Sequence, residues 1–108
     1  MLPSEIAKNL SELIAENNRG STALFDAERA LAEAEYELDT IEAKSFLRAT
    51  GAVAHREAIA RLESADARLQ RDIKRAEFNR IKTKVKAIEI GIMALATQAK
   101  LVQSEIRA

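Results

Sequence analysis

The stretch Arg48-Ala-Thr-Gly51-Ala-Val-Ala-His-Arg56 decides the fold, because it is the clearest stop signal between two long helical segments. Gly51 can readily take the left-handed backbone conformation that closes a helix C-terminus. The basic side chains of Lys44 and Arg48 suit the negative end of a helix that finishes here. The sequence therefore predicts that a long helix ends at Thr50–Gly51 and that the chain then turns.

The segment before the turn carries apolar side chains in alternating steps of four and three residues, which is a heptad pattern. It predicts one helix over residues 4–49. The polar run Asn17–Thr22 resembles a loop, so a break at Asn18–Ser21 is the alternative. The heptad phase continues across this run, which favours one helix. We call the repeating positions the seam of the first arm: Ile6, Leu10, Leu13, Asn17, Gly20, Leu24, Ala27, Leu31, Ala34, Leu38 and Ile41.

The segment after the turn predicts an elbow with a short helix over residues 50–64 and a second long arm over residues 65–106. The whole chain is then a single all-α domain, a long antiparallel helical hairpin of the coiled-coil type. If the two arms are aligned at the ends that meet the elbow, Leu13 lies near Val102 and Leu24 near Ile92. The apolar positions assigned to the second seam are Leu69, Ile73, Ala76, Ile81, Val85, Ile88, Ile92, Leu95, Ala99, Val102 and Ile106.

The second arm is apolar on more than one side between residues 87 and 102. Three large side chains, those of Ile90, Met93 and Leu101, point away from the predicted seam. Because a helix that is apolar on several faces is normally covered on several faces, these residues predict an oligomer interface. The simplest assembly is a homodimer that forms a four-helix bundle, and the alternative is that a different protein covers this surface.

The net charge is zero, but the charges are divided between the two halves of the chain. Residues 1–45 hold ten acidic and four basic side chains, and residues 46–108 hold seven acidic and thirteen basic ones. Two interpretations remain open: pairing of the basic side chains with the acidic arm, or a strip that binds nucleic acid phosphates. That strip would consist of Arg68, Arg71, Arg75, Lys82 and Lys86.

The residues that usually carry chemistry are sparse. Cysteine is absent and His55 is the one histidine, so neither thiol catalysis nor a transition-metal site is expected. The three glycines are scattered and form no phosphate-binding loop. No signal peptide or membrane-spanning run is recognisable. We therefore expect a non-enzymatic protein with no catalytic residue, metal, cofactor, small-molecule substrate or membrane association.

The segment from Tyr36 through Gly51-Ala-Val-Ala-His-Arg-Glu-Ala58 resembles a pattern in small all-helical proteins of tailed bacteriophages and prophages. In that pattern a Gly-x-Val-Ala-x-Arg-x-Ala turn joins a long helix to a Lys/Arg-rich helix. The similarity covers about residues 36–100. In the family pattern Thr or Ser precedes the Val and Glu precedes the Arg, where this chain has Ala52 and His55. The resemblance implies a phage origin and a cytoplasmic location in the bacterial host.

These observations predict a protein–protein interaction module that binds a host or phage protein. The predicted recognition surface is the tip of the elbow, with Arg48, Val53, His55, Arg56 and Arg61. The alternative is a DNA-binding accessory protein of phage replication or recombination, which would use the basic strip.

Overall fold

The chain forms an all-α helical hairpin, seen in a computed structural model that describes residues 2–107. It consists of α1 (Pro3–Arg48), α2 (Val53–Glu63) and α3 (Ala65–Arg107). Helix α1 runs without interruption through its polar segment, so the alternative of a break at Asn18–Ser21 is wrong. There the Thr22 hydroxyl donates to the Asn18 carbonyl oxygen at 3.3 Å, one helical turn earlier. The segment is therefore polar in composition but helical in structure.

The turn after α1 follows the prediction. Gly51 has a φ of +103°, which an L side chain rarely adopts. The Ala49 amide donates to the Ser45 carbonyl oxygen at 3.1 Å and so closes the last turn of the helix. Gly51 therefore supplies the backbone freedom that the reversal needs.

The hairpin divides into two compact units. The terminal unit comprises residues 2–25 and 80–107, and the turn unit comprises residues 26–79. Helices α1 and α3 contribute residues to both units, whereas α2 belongs to the turn unit.

The predicted seam of the first arm is confirmed along its whole length. Each of its positions from Ile6 to Ile41 is buried or half-buried, and the same spacing continues to the buried Ser45. Charged and polar side chains predominate on the rest of α1, where Phe25, Tyr36 and Leu47 are also exposed. Heptad spacing alone therefore locates the packed face of this helix.

The predicted seam of the second arm is correct only in the terminal unit. There Ile81, Val85, Ile88, Ile92, Leu95, Ala99 and Val102 are buried or half-buried, although Ile106 is exposed. In the turn unit Leu69, Ile73 and Ala76 are exposed, contrary to the prediction. The half-buried positions of α3 in this unit are Ala67, Arg68, Arg71, Lys74 and Phe78.

The reason for this error is the heptad phase. The predicted seam steps by five residues from Ala76 to Ile81, whereas the observed one keeps steps of three and four back through Phe78 and Lys74. A packed helix must keep its phase, so the basic side chains take the inward positions and extend their charged ends toward solvent.

The register of the hairpin also differs from the prediction. In the terminal unit a Cβ added to Gly91 would lie 3.3 Å from Leu13 Cδ1, so Leu13 packs near Gly91 and not near Val102. The prediction treated the short helix as part of the elbow and aligned the ends of the two long arms. In the turn unit, however, α2 itself lies along the last turns of α1. The partner positions in α3 therefore come about three turns earlier in the sequence.

Helices α2 and α3 are separated by one residue, Ser64, which is completely buried. Its amide donates to the Ala60 carbonyl oxygen, and its own carbonyl oxygen accepts from the Arg68 amide at 2.9 Å. Its hydroxyl donates to the Arg61 carbonyl oxygen and accepts from the Arg68 guanidinium at 3.0 Å. Ser64 thus forms hydrogen bonds with both helices and keeps the hydrogen bonding nearly continuous across the junction.

Candidate partner-binding surfaces

The turn unit contains a groove between the last turns of α1 and the whole of α2. It has a volume of about 770 Å³. Its base is formed by small or flat apolar side chains, and its edges are charged. The lining residues are Asp39, Glu42, Ala43, Phe46, Ala54, Glu57, Ala58, Ala60 and Arg61.

The helical periodicity of both helices produces this shape. Ala54 and Ala58 lie one turn apart on α2, and Ala43 faces the same groove from α1. Alanine side chains end at Cβ, so they leave the space between the two helix backbones unfilled. The groove was not predicted from the sequence, because alanine was given a packing role only at the seam positions. The spacing of Ala54 and Ala58, one turn apart on the short helix, could have indicated the groove.

The charges at the groove edges are unequal. Asp39, Glu42 and Glu57 contribute three carboxylates, and Arg61 contributes one guanidinium. All four residues are exposed, so the groove opens to solvent with an excess of negative charge. A groove of this kind attracts cationic groups and repels phosphates.

Arg56 has a structural role that differs from its predicted one. We expected its side chain to point outward at the tip, but the residue is half-buried. Its guanidinium donates through Nε and Nη2 to the Phe46 carbonyl oxygen, at 3.2 and 3.1 Å. The same group lies over the Phe46 ring, 4.2 Å from its centroid. Arg56 therefore caps the C-terminal end of α1 and fixes the start of α2 against it.

The other predicted tip residues remain at the surface. Val53 and His55 are exposed, and His55 lies beside Gly51. Arg48 is also exposed and pairs with Glu63 at 3.7 Å, which joins the end of α1 to the end of α2. Arg61 lies at the groove edge, apart from the turn. The predicted set is therefore divided between the turn, the groove and the cap of α1.

The residues of the predicted basic strip do not form one continuous exposed surface. Arg68 and Arg71 are half-buried, with Arg68 bonded at the Ser64 junction and Arg71 bonded to Asp72 at 2.7 Å. Arg75 pairs with Glu35 of α1 at 3.7 Å. This last contact joins the acidic arm to the basic arm, as one of the two interpretations of the charge pattern predicted. In the terminal unit, Lys82 takes part in an interaction and Lys86 is exposed.

The terminal unit presents a second apolar surface, on the side of α3 opposite the seam. Ile90, Met93 and Leu101 are 59%, 69% and 60% exposed, as their positions in the sequence predicted. The Thr97 hydroxyl, within the same row, donates to the Met93 carbonyl oxygen at 3.0 Å. Because this bond satisfies the hydroxyl within its own helix, the row can be covered without leaving that group unpaired. We call the surface formed by Ile90, Met93, Ala94, Thr97 and Leu101 the outer face of α3.

A second groove, of about 550 Å³, lies in the terminal unit between α1 and α3. Glu16, Arg19 and Lys84 surround it, so its charges are mixed. Its base follows from a close approach of the helices, since a Cβ on Gly20 would come within 2.9 Å of Val85 Cγ2. This groove has no single chemical preference.

No protein-family model, curated protein or solved structure matches this chain. Within the described residues no cluster of three or more side chains is suited to hold a metal ion. No helix in that part of the chain is long and apolar enough to cross a membrane.

Proposed function

We propose that this protein is a non-enzymatic helical interaction module, which forms a homodimer and binds a partner protein through its turn unit. The observation that carries the dimer in this proposal is the outer face of α3. Three large apolar side chains at helical spacing are exposed there, on a helix whose other side is already packed. Apolar rows of this kind are typical of helices that are covered by another helix.

The proposed partner is a host or phage protein, and the proposed location is the cytoplasm of a bacterial host. This part of the proposal rests on the resemblance of residues 36–100 to helical phage proteins. The exposed side chains at the turn, Val53 and His55, would contribute to recognition. Arg56 would contribute indirectly, by holding α2 in place.

DNA binding through the basic strip has less support. Arg68, Arg71 and Arg75 all bond to groups within the chain, and two of them are half-buried. A phosphate-binding strip needs cationic groups that reach outward together. If the protein nevertheless shifts a labelled oligonucleotide in a salt-dependent way, the strip hypothesis replaces the partner-protein hypothesis.

The dimer is tested by light scattering over a concentration series. We expect a mass that approaches twice 11.9 kDa for the wild-type chain. The double variant Ile90→Glu with Leu101→Glu should remain a monomer, because two buried carboxylates would oppose the contact. The matched control is Gln98→Glu with Gln103→Glu, which adds the same charge at exposed polar positions of α3. A wild-type mass near 11.9 kDa at every concentration would overturn the dimer.

Partner binding is tested by affinity capture from host lysate with the wild type and the double variant Val53→Asp with His55→Glu. We expect the variant to lose the proteins that the wild type retains. Arg56 is left unchanged in this comparison, since its replacement would disturb the end of α1. Capture that is identical for the two proteins would argue against recognition at the turn.

A further inference from the structure

The groove between α1 and α2 has a chemical character that defines its ligand more closely. We propose that it is the docking site for a basic amphipathic helical segment of the partner protein. This inference rests on the proposed function and specifies the chemistry of the partner. It concerns the groove residues, not the outer face of α3 or the exposed side chains at the turn.

The apolar part of the inference comes from the base of the groove. Ala43, Ala54 and Ala58 are exposed and small, so they allow another chain to approach the backbones of both helices. Phe46 adds a half-buried aromatic ring to the same surface. One face of that ring is already occupied by the Arg56 guanidinium. The space between two helices over such a base suits the apolar side of an amphipathic helix.

The charge of the groove edges selects the polar side of that helix. Asp39 and Glu42 lie on α1, and Glu57 lies across the groove on α2. Carboxylates therefore face the groove from both helices, with Arg61 as the opposing charge. A docked helix with lysine or arginine on both sides of an apolar row would bring cations to each edge. A phosphate-bearing or acidic ligand would meet the three carboxylates and be repelled.

The exposed Tyr36 extends this surface along α1. It is 74% exposed and lies three residues before Asp39, so the two side chains are neighbours on the helix. An aromatic ring beside a carboxylate suits a cationic side chain, which can contact the ring face and pair with the acid. The basic helix would thus meet a complementary surface beyond the groove itself.

The test uses a fluorescently labelled peptide with leucine and lysine at helical spacing, measured by anisotropy with the full chain. Two companion peptides replace every lysine by glutamate or every leucine by serine. We expect the Leu/Lys peptide to bind at least about tenfold more tightly than either companion. Absence of binding by the Leu/Lys peptide, or equal binding of the Ser/Lys peptide, would overturn the inference.

Two groove variants and one remote control identify the binding surface. Asp39→Asn with Glu42→Gln and Glu57→Gln removes the edge charges, and Ala58→Phe fills the groove without altering its charge. Each should weaken binding of the Leu/Lys peptide by about tenfold or more. The control neutralises three exposed acids elsewhere in the turn unit: Asp26→Asn, Glu28→Gln and Glu37→Gln.

If the control variant loses as much affinity as the charge variant, the attraction is general and the groove inference fails. If Ala58→Phe binds as tightly as the wild type, the groove is not occupied and the inference also fails. The dimer mass and the capture experiment involve none of these residues. Failure of the groove inference can therefore be distinguished from failure of the proposed function.

Discussion

The terminal unit and the turn unit are built from the same two long helices, yet different side chains hold them together. In the terminal unit α3 packs with aliphatic residues such as Val85 and Ile88. In the turn unit its inward positions include Arg71 and Lys74, while Leu69 lies outside. The heptad phase thus decides which residues pack, and apolar character alone does not.

The turn unit compensates for its basic seam in two ways. Its completely or nearly completely buried residues include the small side chains Ser45, Ala60 and Ser64, which fit where helices lie close together. In addition, Arg56 and Arg68 donate to backbone carbonyl oxygens at helix ends. Close packing of small residues and guanidinium caps therefore supplement the aliphatic contacts of this unit, such as that of the buried Leu38.

The largest expected effect tests which apolar residues pack in the turn unit. Leu38 is 5% exposed and Leu69 is 57% exposed. Leu38→Ala should lower the free energy of unfolding by about 3 kcal/mol, because it leaves a cavity. Leu69→Ala should change it by less than about 0.5 kcal/mol. Urea unfolding at one fixed protein concentration measures both, and equal losses would contradict the observed seam.

A smaller effect is expected at the cap of α1. Arg56→Met keeps most of the side-chain volume but removes both hydrogen bonds to the Phe46 carbonyl oxygen. We expect a loss of about 1 to 2 kcal/mol in the free energy of unfolding. Arg56→Lys should recover only part of it, since lysine cannot donate in the same fork geometry.

The control for this cap is the adjacent exposed position. His55→Gln should alter the stability by less than about 0.5 kcal/mol. Similar losses for Arg56→Met and His55→Gln would mean that the cap contributes nothing particular. Chemical denaturation followed by circular dichroism is sufficient for all three variants.

The smallest effects are expected at two glycines of the terminal unit, and they should differ in sign. An alanine at Gly20 would place its Cβ 2.9 Å from Val85 Cγ2, and valine has little freedom to move away in a helix. Gly20→Ala should therefore lower the stability by about 1 kcal/mol, despite its better helix propensity. At Gly91 the nearest atom is the flexible end of Leu13, at 3.3 Å. Gly91→Ala should raise the stability by about 0.5 kcal/mol.

Thermal and urea unfolding measure the stability of both variants. The two results together show how closely α1 and α3 approach each other at Gly20 and at Gly91. A stabilised Gly20→Ala variant would show that the helices are not in close contact at Val85. A destabilised Gly91→Ala variant would show that Leu13 cannot adjust.

The sequence predicted much of the fold but only part of the candidate site. The seam of α1 and the exposure of Ile90, Met93 and Leu101 follow from the helical periodicity of the sequence, and the turn follows from the conformational freedom of Gly51. None of these features depends on how the two long helices are aligned. The interhelical register did not follow, because it depends on where α2 packs. The acidic groove also escaped prediction, since Glu57 and Asp39 are brought together only after the chain reverses.

Arg56 illustrates the difference between the two kinds of information. The sequence by itself determined that a helix ends near Gly51, because backbone freedom is a local property of glycine. It could not determine that Arg56 would find the Phe46 carbonyl oxygen, ten residues earlier. Only the tertiary structure decided that contact, since folding α2 back along α1 supplies a partner that local periodicity cannot specify. The groove beside it exists for the same physical reason.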